Sequence, residues 1–182
     1  MQRLDQFTLP PGFRGRSALV VQLWWLVQGT LFACSPQFMY GWRRFLLRLF
    51  GARIGKNVLV RPSVKVTYPW KLAIGDYSWI GDDVVLYTLG DIRIGEHAVV
   101  SQKSYLCTGS HDYSKPAFDI YAEPIVVEDE AWVSSDVFIA PGVTIGKGAV
   151  IGARSTVLED MPAGMVCVGY PAKAIKPRTT AA

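Results

Sequence analysis

Few side chains in this sequence can move a proton near neutral pH, and they narrow the chemistry quickly. The histidines are His97 and His111. His111 lies in Thr108-Gly109-Ser110-His111-Asp112-Tyr113-Ser114, a string of glycine and short polar residues that reads as a loop. An imidazole titrates near neutrality, so it can remove a hydroxyl proton while that oxygen attacks a carbonyl carbon, and backbone N–H groups can hold the resulting oxyanion. Taken alone, a loop histidine is more often a solvated surface residue. If His111 is a base, Asp119, Glu123 or a backbone carbonyl could orient its ring, whereas Asp112, adjacent in sequence, points elsewhere in most backbone conformations. His97, in the corner Gly95-Glu96-His97, reads as a solvated turn residue. Two histidines do not suffice for a zinc site built from several imidazoles, so no metal is expected. Cys34, Cys107 and Cys167 are odd in number and lack ligand spacing. They read as reduced thiols in the cytoplasm, with packing roles and no demand for a covalent intermediate.

The loop interrupts a repeat. Every sixth position from Ile54 is aliphatic: Ile54, Val60, Val66, then Ile74, Ile80, Leu86, then Ile94, Val100, Leu106, and after a break Val127, Val133, Ile139, Ile145, Ile151 and Val157. Small or β-branched residues follow four places later at most of these positions, and Gly follows immediately at Gly55, Gly75, Gly81, Gly95, Gly146 and Gly152. A period of six fits neither a helix nor a long amphipathic strand. It predicts short strands separated by corners, three to a triangular coil, in a parallel β-solenoid of about five coils. Glycine is expected at the corners as the residue that reaches positive φ cheaply. Two extra residues before Ile74 and before Ile94 predict bulged corners. The segment Cys107 to Val126 is predicted to be ejected, and long loops on rigid scaffolds are where function concentrates.

The 182 residues are half hydrophobic and 19% charged, which suits one ordered domain with an appendage, and the net charge of +4 falls far short of a nucleic-acid-binding composition. It is compatible with coenzyme phosphates or lipid headgroups. Residues 1–53 form an N-terminal extension and helical cap, 54–162 the solenoid, and 163–182 a C-terminal segment with a basic tail. No signal peptide is expected. Ala18 to Cys34 is an apolar run at the short limit for a membrane span. Phe38, Trp42, Phe45, Leu46 and Leu49 then recur at helical spacing, with Arg43, Arg44 and Arg48 off that face. Two readings stay open: the helices only cap the open end of the solenoid, or they also rest on the cytoplasmic membrane surface, apolar face down and arginines toward anionic headgroups.

The Ile-Gly-x-x-x-x hexads, and the string Gly169-Tyr170-Pro171-Ala172-Lys173 that follows them, resemble the hexapeptide-repeat acetyltransferases. More narrowly, Gln22-Leu23-Trp24-Trp25, Arg61-Pro62-Ser63-Val64-Lys65, Tyr68-Pro69-Trp70-Lys71-Leu72 and Ser101 to Asp112 resemble the acetyltransferases of colanic acid biosynthesis, over nearly the whole chain. The resemblance implies a left-handed β-helix, a homotrimer, and acetyl-CoA as co-substrate without a metal. It implies catalysis by His111, which occupies the family's Thr-Gly-x-His setting. The coenzyme is then expected along Trp132, Ser134, Ser135 and Ala153, with Lys173 and Lys176 near its phosphates. Leu158-Glu159 replaces a Thr-Lys pair common in relatives, so a phosphate contact is either missing or supplied by Arg154. The acceptor is expected near Val85 and Tyr87; Val85 stands where relatives often carry Asn, so an acceptor contact is either lost or moved to Asp82 or Asp83. The acceptor implied is a sugar hydroxyl of an exopolysaccharide intermediate on a lipid carrier, at the inner face of the cytoplasmic membrane. Acetylation of a small soluble sugar or nucleotide sugar, and a catalytically silent scaffold, are the alternatives.

Overall fold

A computed structural model describes residues 1–179, so the last three residues of the basic tail lie outside the described residues. From Arg53 onward the chain winds through three parallel faces. Face one stacks Arg53–Ile54, Leu72–Ile74, Ile92–Ile94, Ile125–Val127 and Thr144–Ile145. Face two stacks Leu59–Val60, Trp79–Ile80, Val99–Val100, Trp132–Val133, Val150–Ile151 and Met165–Gly169, with Ala172–Pro177 added antiparallel at its end. Face three stacks Lys65–Val66, Val85–Tyr87, Tyr105–Cys107, Phe138–Ile139 and Thr156–Val157. All fifteen hexad aliphatics point inward and are buried. The winding also runs past the boundary read from the sequence. Met161 bridges Ile145 and Cys167 pairs with Ile151, so five complete coils are followed by the start of a sixth.

The corners divide their work differently from the expectation. The repeated glycines Gly55, Gly75, Gly81, Gly95, Gly146 and Gly152 are not the positive-φ residues. Those lie three places after the inward aliphatic, at Asn57, Tyr77, Asp83, His97, Lys103, Glu130, Asp136 and Arg154, with φ between 51° and 63°. None of these eight is glycine, and in all but Asn57 the strain is offset because the N–H donates to the preceding coil, as from Tyr77 to Lys56 O at 2.9 Å and from His97 to Asp76 O at 2.9 Å. Glycine is required for closeness instead. A Cβ on Gly75 would stand 2.6 Å from the carbonyl carbon of Gly95, and one on Gly95 would stand 2.6 Å from the backbone nitrogen of Asp129.

The N-terminal helices close the first coil. Helix α1 spans Ala18–Val27 and continues into a π-turn over Gln28–Phe32; α2 spans Tyr40–Leu49. Among the described residues no helix is long and apolar enough to cross a membrane, which corrects the reading of Ala18 to Cys34 as a borderline span. The arginines of α2 also differ from expectation. Arg43 is fully buried, and its guanidinium donates to the carbonyls of Val60, Pro36 and Gln37 and to Ser35 Oγ at 2.6–2.9 Å. Arg44 donates to Val58 O at 2.9 Å, and Arg48 to Ile54 O and Gly55 O, each at 2.8 Å. On face three the Trp24 indole donates to Val66 O at 2.7 Å, while Gln28 Oε1 accepts from Val66 N at 2.6 Å. The open edge of a solenoid carries backbone groups with no next coil, and these side chains satisfy them. The arginines therefore face the protein rather than headgroups, and Phe38, Phe45 and Leu49 are left exposed.

Two substitutions test this division of labour. Gly95→Ala, at a normal φ but without room, is expected to destabilise the fold by about 1–3 kcal/mol in chemical denaturation. Arg43→Leu strands several buried acceptors and is expected to cost at least about 3 kcal/mol, against about 1 kcal/mol for Arg48→Ala at the exposed rim.

Candidate active site

After Cys107 the chain leaves face three as a β-hairpin, in which Gly109–His111 pairs antiparallel with Ile120–Ala122 and His111 stands opposite Ile120. The excursion is shorter than expected, because Ile125–Val127 already belongs to face one. Its root is fixed to the preceding coil. Buried Thr108 donates through Oγ1 to Tyr87 O at 2.5 Å and accepts from Gly90 N at 2.8 Å. A Cβ on Gly109 would stand 2.6 Å from Leu89 Cδ1 and 3.3 Å from its Cβ, so the hairpin starts packed closely against the Leu89 side chain.

His111 is half-buried and held from three sides. Its Nδ1 lies 2.8 Å from Phe118 O, and its ring stacks on the Phe118 ring at 4.2 Å with 6° between planes. Phe7 covers another side at 5.9 Å, and the N-terminal segment that carries it is tied to the hairpin by a 2.7 Å bond from Arg3 N to Pro116 O. A carbonyl can only accept, so Nδ1 carries the proton and Nε2 of the neutral ring holds the free lone pair. Phe118 adopts φ 52°, a strained conformation for a bulky residue, and supplies both the stacked ring and the accepting carbonyl. Of the three candidate orienting groups, the backbone carbonyl holds the ring. Asp112 is engaged at the hairpin tip, where its carboxylate accepts from Ser114 N at 3.0 Å; the Ser114 hydroxyl, then Lys115, hold its pKa below the usual value. Lys115 pairs with Asp119 at 3.3 Å. Beneath the hairpin, Tyr87, Tyr105 and Phe138 form an aromatic ladder on face three with centroids 6.0 Å apart. Burial pushes the Tyr105 hydroxyl up to about 12 and raises the Cys107 thiol, so Cys107 is poorly suited to act as a thiolate.

The coenzyme candidates gather elsewhere, along face two and its border with face three. Trp132 projects outward, its indole donating to Ser101 Oγ at 3.0 Å. Ser135 Oγ accepts from Gln102 at 2.8 Å, and Ser134 is buried. Ala153 and Arg154 lie at the same corner one coil on, with Arg154 3.4 Å from Asp136. Lys173 and Lys176 stand on the final strand of the same face, and Lys173 pairs with Glu159. The acceptor candidates separate. Asp82 and Asp83 occupy a corner of the second coil, Asp82 pairing with Arg61 at 2.9 Å and Asp83 N donating to Ser63 Oγ at 2.8 Å. Val85 and Tyr87 lie on face three, Tyr87 against the root of the hairpin.

One feature was missed from the sequence. Trp79 stands directly across Val99 from Trp132, so two indoles wall a slot on face two. The slot continues into a concavity of about 360 Å³ lined by Trp79, Arg61, Asp82, Gln102 and Tyr40. A bulky aromatic just before an inward aliphatic, as in Trp79-Ile80 and Trp132-Val133, was the available signal. Within one chain the His111 hairpin and the Trp79–Trp132 slot belong to different faces. Among the described residues no group of three His, Cys, Asp or Glu side chains is placed to hold a metal ion.

Residues 124–159 match the family described as bacterial transferase hexapeptide (six repeats). WcaF of Escherichia coli (strain K12), which carries the name of a colanic acid biosynthesis acetyltransferase, is 64% identical over 98% of each chain. A maltose O-acetyltransferase from Clostridium difficile 630 superposes with a TM-score of 0.81 at 26% identity, covering 90% of each chain. A hexapeptide-repeat acetyltransferase from Vibrio cholerae O1 biovar eltor, solved with acetyl-coenzyme A, superposes with a TM-score of 0.80 at 26% identity over 91% of this chain and 92% of that one. The hexads, the left-handed winding shared with these structures and the full-length similarity have one conclusion: the chain belongs to the hexapeptide-repeat acetyltransferases, on the branch of the colanic acid biosynthesis enzymes.

Proposed function

We propose that this acetyltransferase moves an acetyl group from acetyl-CoA to a sugar hydroxyl of an exopolysaccharide intermediate, with His111 as general base. The observation that carries the reading is the clamp on His111: Phe118 O fixes the Nδ1 proton and two aromatic rings hold the plane, so Nε2 is presented as acceptor. Nε2 takes the proton of the acceptor hydroxyl as its oxygen adds to the thioester carbonyl. Collapse of the tetrahedral adduct breaks the C–S bond, and the departing thiolate recovers the proton from the imidazolium. No acyl-enzyme is needed.

The co-substrate fits face two. An exposed indole at Trp132, the hydroxyl of Ser135 and the cations Arg154, Lys173 and Lys176 suit the pantetheine arm and phosphates. The ion pairs of Arg154 with Asp136 and of Lys173 with Glu159 are solvent-exposed and weak enough to exchange for a phosphate. Because the hairpin and face two are on different sides of the prism, the site is completed between copies, with His111 of one reaching face two of its neighbour in a cyclic trimer. The slot and concavity around Trp79, Arg61 and Asp82 offer an aromatic platform with polar groups beside it, an arrangement suited to a sugar. The similarity to WcaF supports a colanic-acid-like acceptor; we read that acceptor as lipid-linked at the inner face of the cytoplasmic membrane, with the protein in peripheral contact there.

His111→Ala is expected to lower kcat for acetyl transfer by about 10²–10⁴-fold with little change in KM for acetyl-CoA; unchanged turnover with a purified lipid-linked glycan contradicts the assignment. A second test addresses the shared site. His111→Ala subunits mixed with Val99→Trp subunits, whose slot is filled, are expected to recover roughly a quarter of wild-type activity, since random pairing rebuilds that share of the sites. Mixtures no more active than their parents place base and groove in one chain.

A further inference from the structure

Closing the solenoid consumes the polar side of α2 and leaves an apolar surface without a partner. On α1, Leu19, Leu23 and Leu26 follow one another at helical spacing and are 78%, 49% and 63% exposed. On α2, Phe45 and Leu49 are 52% and 64% exposed, and Phe38 just before it is 80% exposed. The Trp42 indole joins the two stripes, donating to Leu31 O at 2.9 Å and stacking on Phe45 at 5.7 Å. The capping helices thus present two exposed apolar stripes, with Trp42 linking α2 to the exposed Leu31 in the turn that follows α1.

Charge identifies what meets it. From Gln6 to Gly75 the sequence has ten basic residues and no acidic one, whereas from Asp76 onward it has eight basic and fourteen acidic. Three of the ten are spent on the cap, but Arg16, Arg53, Lys56 and Lys65 are exposed at the same end. A second copy docked here would bring two strongly positive ends together. An anionic bilayer would meet both the charge and the apolar side chains.

We infer that this cap is a monotopic docking surface for anionic phospholipid bilayers, with Leu19, Leu23, Leu26, Phe38, Phe45 and Leu49 entering the headgroup boundary and the exposed Arg16, Arg53 and Lys56 lying against lipid phosphates. The inference deepens the membrane location proposed above, and it is tested without acetyl-CoA or acceptor, so either can fail alone. The apolar side of the helices meets the lipid as in the membrane reading of the sequence, but the arginines of α2 bind protein carbonyls instead of headgroups.

The test is co-sedimentation of the full-length protein with phosphatidylcholine vesicles, with and without phosphatidylglycerol. Wild type is expected to pellet with the anionic vesicles and to lose at least about tenfold in partitioning when phosphatidylglycerol is omitted or salt is raised to 1 M. Leu23→Glu/Phe45→Glu is expected to lose at least about tenfold on anionic vesicles with an unchanged melting temperature. If that variant is unstable, Leu19→Ser/Leu26→Ser provides the same comparison with a milder change. Wild type remaining in the supernatant, or a folded double variant that pellets like wild type, overturns the inference. So does a lipid-free assembly larger than the trimer that the double variant dissolves, because the surface would then be covered by a second copy.

Discussion

Successive coils hydrogen-bond to one another at a separation that leaves no room for a side chain at one corner position and demands a left-handed backbone at another. Gly75 and Gly95 sit where a Cβ would stand 2.6 Å from the adjoining coil. Two residues on, Tyr77 and His97 take positive φ and recover that cost through N–H bonds to the coil before. The inward aliphatics supply the bulk of the stabilisation, at roughly 1.5–3 kcal/mol for each buried side chain. Without the corner geometry, however, they could not be stacked. The same ladder has to end somewhere, and at its N-terminal end it leaves carbonyls facing outward. Arg43, Arg44, Arg48 and Trp24 exist in this fold as the answer to that exposed edge.

So rigid a ladder confines chemistry to its outward positions and to departures from the coil. The outward column on face two holds Trp79, Val99 and Trp132, giving a slot that the backbone spacing sets. The hairpin after Cys107 is the departure that carries an imidazole. Thr108 and Gly109 fix where it leaves, and Phe118 and Phe7 fix how the ring is presented. A straight prism cannot fold its own hairpin onto another face. On the proposed assignment the separation of base and groove links catalysis to assembly, and the N-terminal segment is joined to the hairpin through Arg3 and Phe7.

The prism was legible in the sequence because a period of six admits no competing element, and even the bulged corners before Ile74 and Ile94 showed as two extra residues. The hairpin that carries His111 was legible because the repeat breaks around it. The role of glycine was misjudged, since a rule about φ was applied where a close approach between non-local segments decided. The cap was misread for a related reason. Helical periodicity shows that α2 has an apolar and a basic side, but a long arginine can bury its guanidinium when unsatisfied carbonyls offer acceptors, and those carbonyls lie outside the helix, 6 to 17 places away in sequence. Trp79 and Arg61 escaped notice because a groove on a solenoid is assembled from different coils.

The proposed reaction turns on the imidazole of one copy working on a thioester that lies along face two of its neighbour. A crystal structure of the assembly with coenzyme A bound measures this directly. The account predicts the coenzyme sulfur over the Trp132 side of one protomer, with His111 Nε2 of the adjoining protomer about 3–5 Å away, close enough to share a hydroxyl between them. A coenzyme bound on face two with every His111 Nε2 more than about 10 Å from its sulfur would contradict it.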